Sequence, residues 1–384
     1  MSGPLTGFKV VEIAGIGPGQ LCGMLLADLG ATVIRIDRKE DADLGIGMPA
    51  KYNLMNRSRA CIAVDLKTTD GVDLVKRLLV EADALFEGFR PGVMERLGLG
   101  PEVCTAINPK LVYGRMTGWG QDGPMSQAVG HDPNYIALTG ILASIGEKDA
   151  PPAYPLNLVG DFGGGGVYLA FGILAALLEA TRSGQGQTVD AAMVDGAASM
   201  MTLFHGMLAG GMWQEARGHN MIDAGGPNVH VYETKDGKHV AVGAVEARFF
   251  KNLTDTLGLD IDPNHRNNPK HWTRLITEIQ TAFFTKTRDQ WAEVFNNVDA
   301  CVSPILSLTE ATQNHHLTAR KTYVEVDGIT QPAPAPRFSR TPGEISRPPT
   351  ETGSDNQTAL SGWNLGKKEI ARLEENGVLL VKHD

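Results

Sequence analysis

Residues 8–36 of the chain read FKVVEIAGIGPGQLCGMLLADLGATVIRI. The apolar run 8–13 predicts a β-strand, the glycine-rich segment 15–19 a tight turn, and residues 20–29 a helix. A second apolar run, 31–36, predicts another strand directly after that helix. Two short apolar strands joined by a helix form the β-α-β unit of a parallel sheet.

The same alternation continues beyond this unit. Asp70 is in position to cap a helix that runs to residue 81. Further short apolar segments predict strands at 61–66, 84–86 and 111–115. We therefore expect an α/β fold whose large domain, residues 1–190 and 335–384, has a Rossmann-like parallel sheet covered by helices.

The pattern changes near Asn228. Two apolar runs, 229–233 and 239–245, flank an Asp-Gly turn and predict a β-hairpin. Helices are then predicted at 248–257, 272–284 and 289–296, a strand at 301–306, an extended proline-rich segment at 331–336 and a last helix at 367–376. Residues 228–317 thus predict a smaller α+β domain, joined to the large one by linkers at 191–227 and 318–334.

Composition narrows the classes of partner. The 384 residues include 42% hydrophobic and 21% charged residues, and the formal net charge is −9. An acidic chain has no global basic field for nucleic acid, so an anionic ligand would need a local cluster of Arg and Lys. The apolar run 167–180 is too short to span a bilayer and is expected to be a buried helix. We expect neither a nucleic acid nor a membrane partner.

The four cysteines lie far apart in the sequence, at Cys22, Cys61, Cys104 and Cys301. They form no CxxC or Cys/His pattern, which argues against a disulfide framework or a zinc site. The first residues have neither a basic nor an apolar signal region. A cytoplasmic location without a bound metal is therefore expected.

The glycine-rich turn 15–19 allows two interpretations. A strand before it, a helix after it and Asp37 at the end of the next strand are typical of a dinucleotide site. However, the third glycine of that fingerprint would fall on Gln20, and Pro18 interrupts the pattern. A tight turn with Pro near the first helical position needs no ligand. An NAD-binding or non-catalytic module remains an alternative.

Polar groups cluster around His131. Asp132 and Pro133 follow it and look like the start of a helix, with Asp132 as N-cap and Pro133 as its first residue. Backbone N–H groups at such a helix start favour negative charge. Taken alone, His131 is more often a hydrogen-bonded structural histidine than a catalyst.

Two acidic residues stand in similar positions. Asp161 precedes the four glycines 163–166 and the apolar helix predicted after them, where it is either a helix cap or a carboxylate facing a second acid or base. Glu246 ends an apolar strand in the smaller domain, where a lone Glu is usually solvated. The interest of Glu246 depends on the other two residues.

The order of motifs resembles the class III CoA-transferase (CaiB/BaiF) superfamily, and most closely its α-methylacyl-CoA racemases. The resemblance covers essentially the whole chain in the right order. The matching stretches are GPL at 3–5, EIAGIGPG at 12–19, DLGA at 28–31, IDR at 36–38, DLK at 65–67, FRPG at 89–92, ERLG at 95–98, RMTGWG at 115–120, GHD at 130–132, NY at 134–135, NLVGDFGGG at 157–165, GQGQTVD at 184–190 and APRF at 335–338.

This resemblance implies a proton transfer next to a thioester. The residues matching His131 and Asp161 stand on opposite faces of the substrate α-carbon, one removing a proton and the other returning it. The residue matching Glu246 is expected to pair with the histidine. The resemblance also implies interlocked homodimers with no cofactor beyond the CoA of the substrate. It assigns CoA binding to Arg38, Val64, Asp65, Leu66, Lys67, Gly88, Phe89, Arg90, Arg96, Gly130, His131, Asp132, Pro133, Asn134 and Tyr135.

These residue types suit the chemistry. Two opposed bases give access to both faces of a planar enolate, and a positioned base contributes roughly 100- to 10,000-fold in rate. Donors aimed at the thioester oxyanion lower the same barrier, and the Asp132 N–H is the best candidate. A CoA-transferase is the main alternative, in which Asp161 would be a nucleophile and no opposed histidine would be needed.

Overall fold

The structure, a computed structural model, describes residues 2–39 and 47–380. Its chain divides into two compact units. The first comprises Met1–Thr139, Leu156–Met200 and Thr318–Asp384, and the second Gly140–Pro155 and Met201–Leu317. Residues 140–155, which the sequence assigns to the large domain, thus belong to the second unit, and all of 318–334, predicted as a linker, lies within the first.

The first unit is built on a six-stranded parallel sheet with the order β3-β2-β1-β4-β5-β6. Its strands are β1 (Lys9–Ile13), β2 (Thr32–Asp37), β3 (Ala60–Ala63), β4 (Ala84–Glu87), β5 (Val112–Thr117) and β6 (Thr188–Ala192). Strand order reverses between β1 and β4, and ligands of such sheets bind outside the carboxyl ends of the strands at this point. The α/β prediction with a Rossmann-like sheet is confirmed.

Helices cover both faces of this sheet. Those of the N-terminal region are α1 (Pro18–Asp28), α2 (Thr69–Leu79), α3 (Val93–Arg96), α4 (Pro101–Ile107) and α5 (Asp132–Leu138). Further along the first unit are a π-helix (Val159–Val167), α7 (Tyr168–Ser183) and α8 (Met193–Met200), while α6 (Ile141–Ser144) and α9 (Thr202–Ala209) belong to the second unit. The stretch 191–227, predicted as a linker, therefore holds two α-helices.

Alternate residues of the strands enter two separate cores, as expected for a sheet buried on both faces. Val11 of β1 and Leu85 of β4 pack with residues of α2 and α4 and with two C-terminal helices, α15 (Asn356–Gly362) and α16 (Lys367–Glu375). Their neighbours Val10 and Ala84 face the other way and pack with α1 and α7. The last predicted helix thus contributes to one core of the first unit.

Two buried ion pairs lie in the first unit. Arg59 donates to the Glu12 carboxylate, and both side chains are almost fully buried. Arg57 donates to Asp28 at 2.6 Å and to the backbone oxygen of Pro332 at 2.8 Å. Pro332 ends the hairpin β10 (Tyr323–Val326) and β11 (Ile329–Pro332). The Arg57 contacts therefore attach this hairpin to the first unit.

The second unit has an antiparallel sheet of β7 (Val229–Glu233), β8 (His239–Gly243) and β9 (Val302–Pro304). The hairpin prediction is confirmed, and Gly237 in its turn has φ +71°. The helices of this region are α10 (Ala247–Leu257), α11 (Pro269–Phe283), α12 (Arg288–Phe295), α13 (Leu308–Gln313) and α14 (His315–Ala319), the last of which ends in the first unit. Side chains such as Tyr232, Phe250 and Trp291 form the core of the second unit.

One cap prediction is wrong. Thr68, not Asp70, is the N-cap of α2, and its hydroxyl accepts a hydrogen bond from the N–H of Gly71 at 3.1 Å. Asp70 lies in the first helical turn instead. Both residues are favourable near a helix N-terminus, so the residue types alone do not distinguish the two registers.

The apolar run 167–180 lies within a longer helical stretch, Leu156–Ser183, of 28 residues. Its most apolar window has a mean hydropathy of 1.6, so length and composition alone would permit a membrane span. In this structure 44% of that window is buried, and Leu169 and Ile173 pack in the core of the first unit. A core helix has the same composition, and the absence of a membrane partner stays a prediction.

Candidate active site

A cavity of about 470 Å³ lies in the first unit, at the carboxyl ends of the central strands. Its wall is formed by the glycine-rich turn after β1, the ends of β4 and β5, and the segment that leads into α5. Asp161 of the π-helix and Met193 of α8 complete it. The glycine-rich turn is therefore part of a site as well as a link between strand and helix.

Eight of the residues predicted from the sequence line this cavity: Arg38, Gly88, Phe89, Arg90, Gly130, His131, Tyr135 and Asp161. The structure thus brings both candidate bases, His131 and Asp161, to one cavity. The remaining predicted residues of the first unit lie outside the lining: Val64 to Lys67 follow β3, Arg96 ends α3, and Asp132 to Asn134 form the first turn of α5. Glu246 belongs to the second unit, where it precedes α10 and is exposed.

His131 is placed by the start of α5. It is the N-cap of this helix, and its backbone N–H donates to the side-chain oxygen of Asn134 at 3.0 Å. The Tyr135 hydroxyl donates a hydrogen bond to the Gly130 carbonyl. The Trp119 and Tyr135 rings pack edge-on, with their centroids 4.8 Å apart. These contacts fix the backbone on both sides of the imidazole.

Asp132 is not the N-cap of α5, contrary to the sequence prediction, but its first residue. Its side chain is buried and accepts a hydrogen bond at 2.7 Å from the backbone N–H of Asp161. Gly160 leaves room for this contact, because a Cβ there would lie 2.5 Å from the Asp132 carboxylate oxygen. The Asp132 carboxylate, which the sequence predicts to accept from N–H groups of α5, thus accepts from a backbone N–H far away in the sequence instead.

Asp161 lies inside a helix instead of capping one. A short 3-10 turn, Leu156–Leu158, leads into a π-helix from Val159 to Val167, so Asp161 sits in the first turn of this π-helix. Asn157 donates to the Asp161 carboxylate at 3.1 Å. Burial, together with the nearby charge of Asp132, raises the pKa of Asp161, while Asn157 and His131 oppose this shift.

The glycines around Asp161 permit close approach of the backbone. Gly17, at φ +62°, faces Asp161, and a Cβ on it would lie 3.0 Å from the Asp161 carboxylate. Gly164 packs against the backbone of α8, and a Cβ there would lie 2.7 Å from the Ala197 nitrogen. The glycine-rich turn thus approaches the Asp161 carboxylate closely, and α8 approaches the backbone of the π-helix that carries it.

Two arginines make part of the cavity suitable for an anion. Arg38 and Arg90 both line it, and the Arg38 guanidinium lies over the Phe89 ring at 5.6 Å. Arginine binds phosphate in a bidentate manner and stacks on aromatic rings. A local basic patch therefore exists on a chain whose net charge is −9.

Glu87 is a cavity residue that the sequence analysis missed. It ends β4, one residue beyond the predicted strand 84–86, and it is 1% exposed. Burial raises the pKa of Glu87 to about 7. No motif singled out in the sequence includes Glu87, but it directly precedes the predicted residues Gly88 to Arg90.

No group of three or more His, Cys, Asp or Glu side chains is placed to hold a metal ion within residues 2–39 and 47–380. The expectation that the protein uses no metal or separate cofactor remains a prediction. The chemistry available at the cavity comes from one imidazole, two carboxyl groups and the two arginines.

Comparison with known proteins gives consistent results. The family model described as CoA-transferase family III matches residues 5–356. The chain is 40% identical to alpha-methylacyl-CoA racemase of Mus musculus over 381 residues, which are 98% of this chain and 97% of the relative. It is 37% identical to alpha-methylacyl-CoA racemase of Homo sapiens, over 98% of this chain and 97% of that one.

A solved structure, that of a CAIB/BAIF family protein from Brucella suis, superposes with a TM-score of 0.81 at 26% identity. The alignment covers 94% of this chain and all of the other. Sequence and structure thus agree over nearly the whole length. The chain belongs to CoA-transferase family III.

Proposed function

We propose that this protein is an isomerase that interconverts (2R)- and (2S)-2-methylacyl-CoA thioesters by moving the proton on carbon 2. The observation that carries the proposal is the meeting of His131 and Asp161 in one cavity with Arg38 and Arg90. Two relatives named alpha-methylacyl-CoA racemase, 37% and 40% identical over nearly the full chain, support the same reaction.

The cavity supplies two groups that can exchange a proton with carbon. Asp161 in its ionised form removes the proton from one face of the α-carbon, which leaves a planar enolate. The imidazolium of His131 then returns a proton to the other face. The reverse direction begins with neutral His131 as the base. The pKa of Asp161 is raised, so it lies nearer to neutral pH than the pKa of a solvated carboxyl group. A catalytic group with such a pKa can both remove and return a proton efficiently.

The developing enolate oxygen needs a hydrogen-bond donor. Asp132 is the first residue of α5, and the N–H of a first helical residue has no acceptor within its own helix. This N–H adjoins His131, which lines the cavity. Removal of one oxyanion donor typically costs about 3–4 kcal/mol in the barrier. We assign this role to the Asp132 N–H.

Further features of this proposal rest on family resemblance, except the cytoplasmic location, which rests on the scattered cysteines. Glu246 pairs with His131 and favours its charged form. The protein is a homodimer, and it acts in the cytoplasm on branched acyl-CoA. Val64 to Lys67 and Arg96 contribute to the binding of CoA beyond the cavity.

A CoA-transferase is the second candidate, because the family that matches the chain carries that name. In that reaction the Asp161 carboxylate attacks the thioester carbonyl, forms an acyl anhydride and releases CoA thiolate. The thiolate attacks the aspartyl carbonyl of the anhydride, which forms an aspartyl-CoA thioester and releases the donor carboxylate. An acceptor carboxylate then attacks this thioester, and CoA thiolate attacks the acceptor carbonyl of the second anhydride, which regenerates Asp161. His131 would have no opposed-base role there. The isomerase accounts for both residues, and the transferase for only one.

The two reactions are separated by NMR of (2R)-2-methylacyl-CoA incubated with the enzyme in D2O. The isomerase predicts deuterium at carbon 2 together with loss of stereochemical purity. Absence of exchange, with transfer of CoA to an added carboxylate, would establish the transferase instead. The same experiment starting from the (2S) epimer tests whether both faces are served.

Two variants test the two-base scheme. H131A and D161A should each abolish inversion of both epimers, because each removes one of the two proton carriers. Full inversion of both epimers by either variant would refute opposed bases. Circular dichroism and the thermal midpoint of each variant check that loss of activity does not reflect loss of fold.

A further inference from the structure

The carboxyl group of Glu87 combines burial with an incomplete set of hydrogen bonds. One oxygen accepts a hydrogen bond from the Phe89 N–H at 2.6 Å. The other, Oε1, is buried and has no hydrogen-bond partner among the described residues. The residue lines the cavity, next to the Gly88–Arg90 segment that also lines it. A buried carboxylate with an unpaired oxygen is costly unless it is neutralised.

Arg115 forms an ion pair with Glu87 but also contacts a second carboxylate. It stands opposite Glu87 in the β4–β5 register, with its Nε 3.4 Å from Glu87 Oε1. Its Nη1 is engaged at 2.9 Å with Glu95, a half-exposed carboxylate on α3. Within residues 2–39 and 47–380, the Arg115 Nε has no hydrogen-bond partner. The Arg115 guanidinium therefore contacts two carboxylates, and its contact with Glu95 is shorter than its contact with Glu87.

Other groups around Glu87 raise or lower the pKa of its carboxyl group. Glu95 on α3 opposes the ionisation of Glu87, whereas the Phe89 N–H and Arg115 favour it. Tyr113 on β5 stays uncharged, because burial and Glu87 raise the pKa of its hydroxyl. Arg38, Arg90, His131 and Asp161 line the same cavity. Burial dominates, and the pKa of Glu87 is raised to about 7. Both protonation states of Glu87 are therefore populated at neutral pH.

We propose that Glu87 is a positioning residue whose protonation is coupled to CoA binding in this cavity. Its neutral form holds the Gly88–Arg90 segment through the Phe89 N–H without opposing an anionic ligand. Its ionised form places a negative charge in the cavity wall. This inference rests on the proposed function only in that CoA, or a CoA thioester, is the ligand.

The sign of the effect follows from linkage. A polyanionic ligand disfavours the Glu87 carboxylate and shifts the group toward its neutral form. Binding then takes up a proton, and affinity is highest below the pKa of the free enzyme. As the pH rises through about 7, affinity falls, by at most roughly tenfold per pH unit for one coupled proton.

Isothermal titration of the full-length protein with CoA, from pH 6 to 8.5, measures this coupling. The ligand and the other cavity residues titrate as well, so the matched comparison is E87Q, which mimics the neutral carboxyl. We expect the wild-type Kd to rise relative to that of E87Q by roughly three- to tenfold between pH 6.5 and 8. At pH 7.5, titrations in two buffers of different ionisation enthalpy should show more proton uptake for wild type than for E87Q.

E95Q provides a second test. It should shift the pH dependence of CoA binding if the charge of Glu87 is coupled to binding, and should leave it unchanged if Glu87 has a purely structural role. The substitution removes a negative charge and frees Arg115, and both changes favour ionised Glu87. The midpoint of the pH dependence should therefore shift to lower pH, and this arm carries the test if E87Q does not fold.

The outcomes are distinct. Parallel pH profiles for wild type and E87Q, or an unshifted midpoint in E95Q, would overturn the role of Glu87 and leave the proposed function intact. No binding of CoA at any pH would overturn both.

Discussion

The Asp132 carboxylate accepts a hydrogen bond from the backbone N–H of Asp161 at 2.7 Å. Asp132 follows one candidate base, His131, in the sequence, and the N–H belongs to the other. The two proton carriers are therefore linked by a part-buried hydrogen bond between α5 and the π-helix.

Substitution of Asp132 by Asn should change the pH dependence of catalysis. Asn can still accept the Asp161 N–H, but the negative charge that raises the pKa of Asp161 is gone. Since Asp161 acts as a base only when ionised, the acid limb of kcat/KM should move to lower pH. Steady-state kinetics from pH 4.5 to 8 measure this shift. An acid limb that moves to higher pH would contradict the assignment.

D132A is the companion variant and should behave differently. It removes the acceptor and leaves the Asp161 N–H unpaired in a part-buried position, which costs about 1–3 kcal/mol. We expect a lower midpoint of urea unfolding and a large loss of activity at every pH. A stable and fully active D132A would show that the contact does not position Asp161.

Loss of Asn157 should act in the opposite direction to D132N. Its amide donates to the Asp161 carboxylate at 3.1 Å and lowers the pKa of that group. In N157A the pKa of Asp161 should rise further, so the acid limb of kcat/KM should move to higher pH. The matched control is Q357A, since Gln357 donates to Glu374 at 2.8 Å outside the cavity lining. That variant should keep the wild-type profile.

Alanine at Gly164 should destabilise the fold. The added Cβ would lie 2.7 Å from the backbone nitrogen of Ala197, and neither backbone can yield without moving its helix. Overpacking of this kind costs roughly 1–3 kcal/mol. G362A serves as the control, because nothing lies within 4 Å of a Cβ at Gly362 in the same unit. Thermal midpoints should fall for G164A only, and equal midpoints would contradict the close packing.

The buried Arg59–Glu12 pair gives a stability prediction independent of the cavity. R59M leaves the Glu12 carboxylate buried without its partner, which typically costs about 3–5 kcal/mol. The double variant E12L/R59M removes both charges and should unfold at a higher urea concentration than R59M. If R59M proves more stable than the double variant, the unpaired Glu12 carboxylate is not the cause of the loss of stability in R59M.

Much of the large sheet is predictable from local pattern. Strands β1 and β2 and helix α1 appear within two residues of their predicted bounds, because apolar runs and glycine-proline turns act over short distances. The same holds for the β7–β8 hairpin, which its Asp-Gly turn determines. The placement of His131 and Asp161 in the wall of one cavity could be expected only from the order of motifs across the chain.

What the sequence does not reveal depends on contacts between distant residues. Asp132 resembles an N-cap in every local respect, yet its carboxylate binds a backbone group 29 positions away. Asp161 looks like the residue before a helix, because four glycines are poor helix formers. Close packing against α1 and α8 nevertheless keeps them helical. Glu87 stands out only through its burial in a cavity wall.

The glycines after Asp161 have a consequence for how the site can change. A carboxylate on an ordinary helix can be shifted by repacking the side chains beneath it. Here the supporting surface is main chain against main chain, since Gly164 and Gly166 face the backbones of α8 and α1. New acyl substrates must therefore be accommodated by remodelling other walls of the cavity, because this proton carrier can be displaced only together with the framework of the unit.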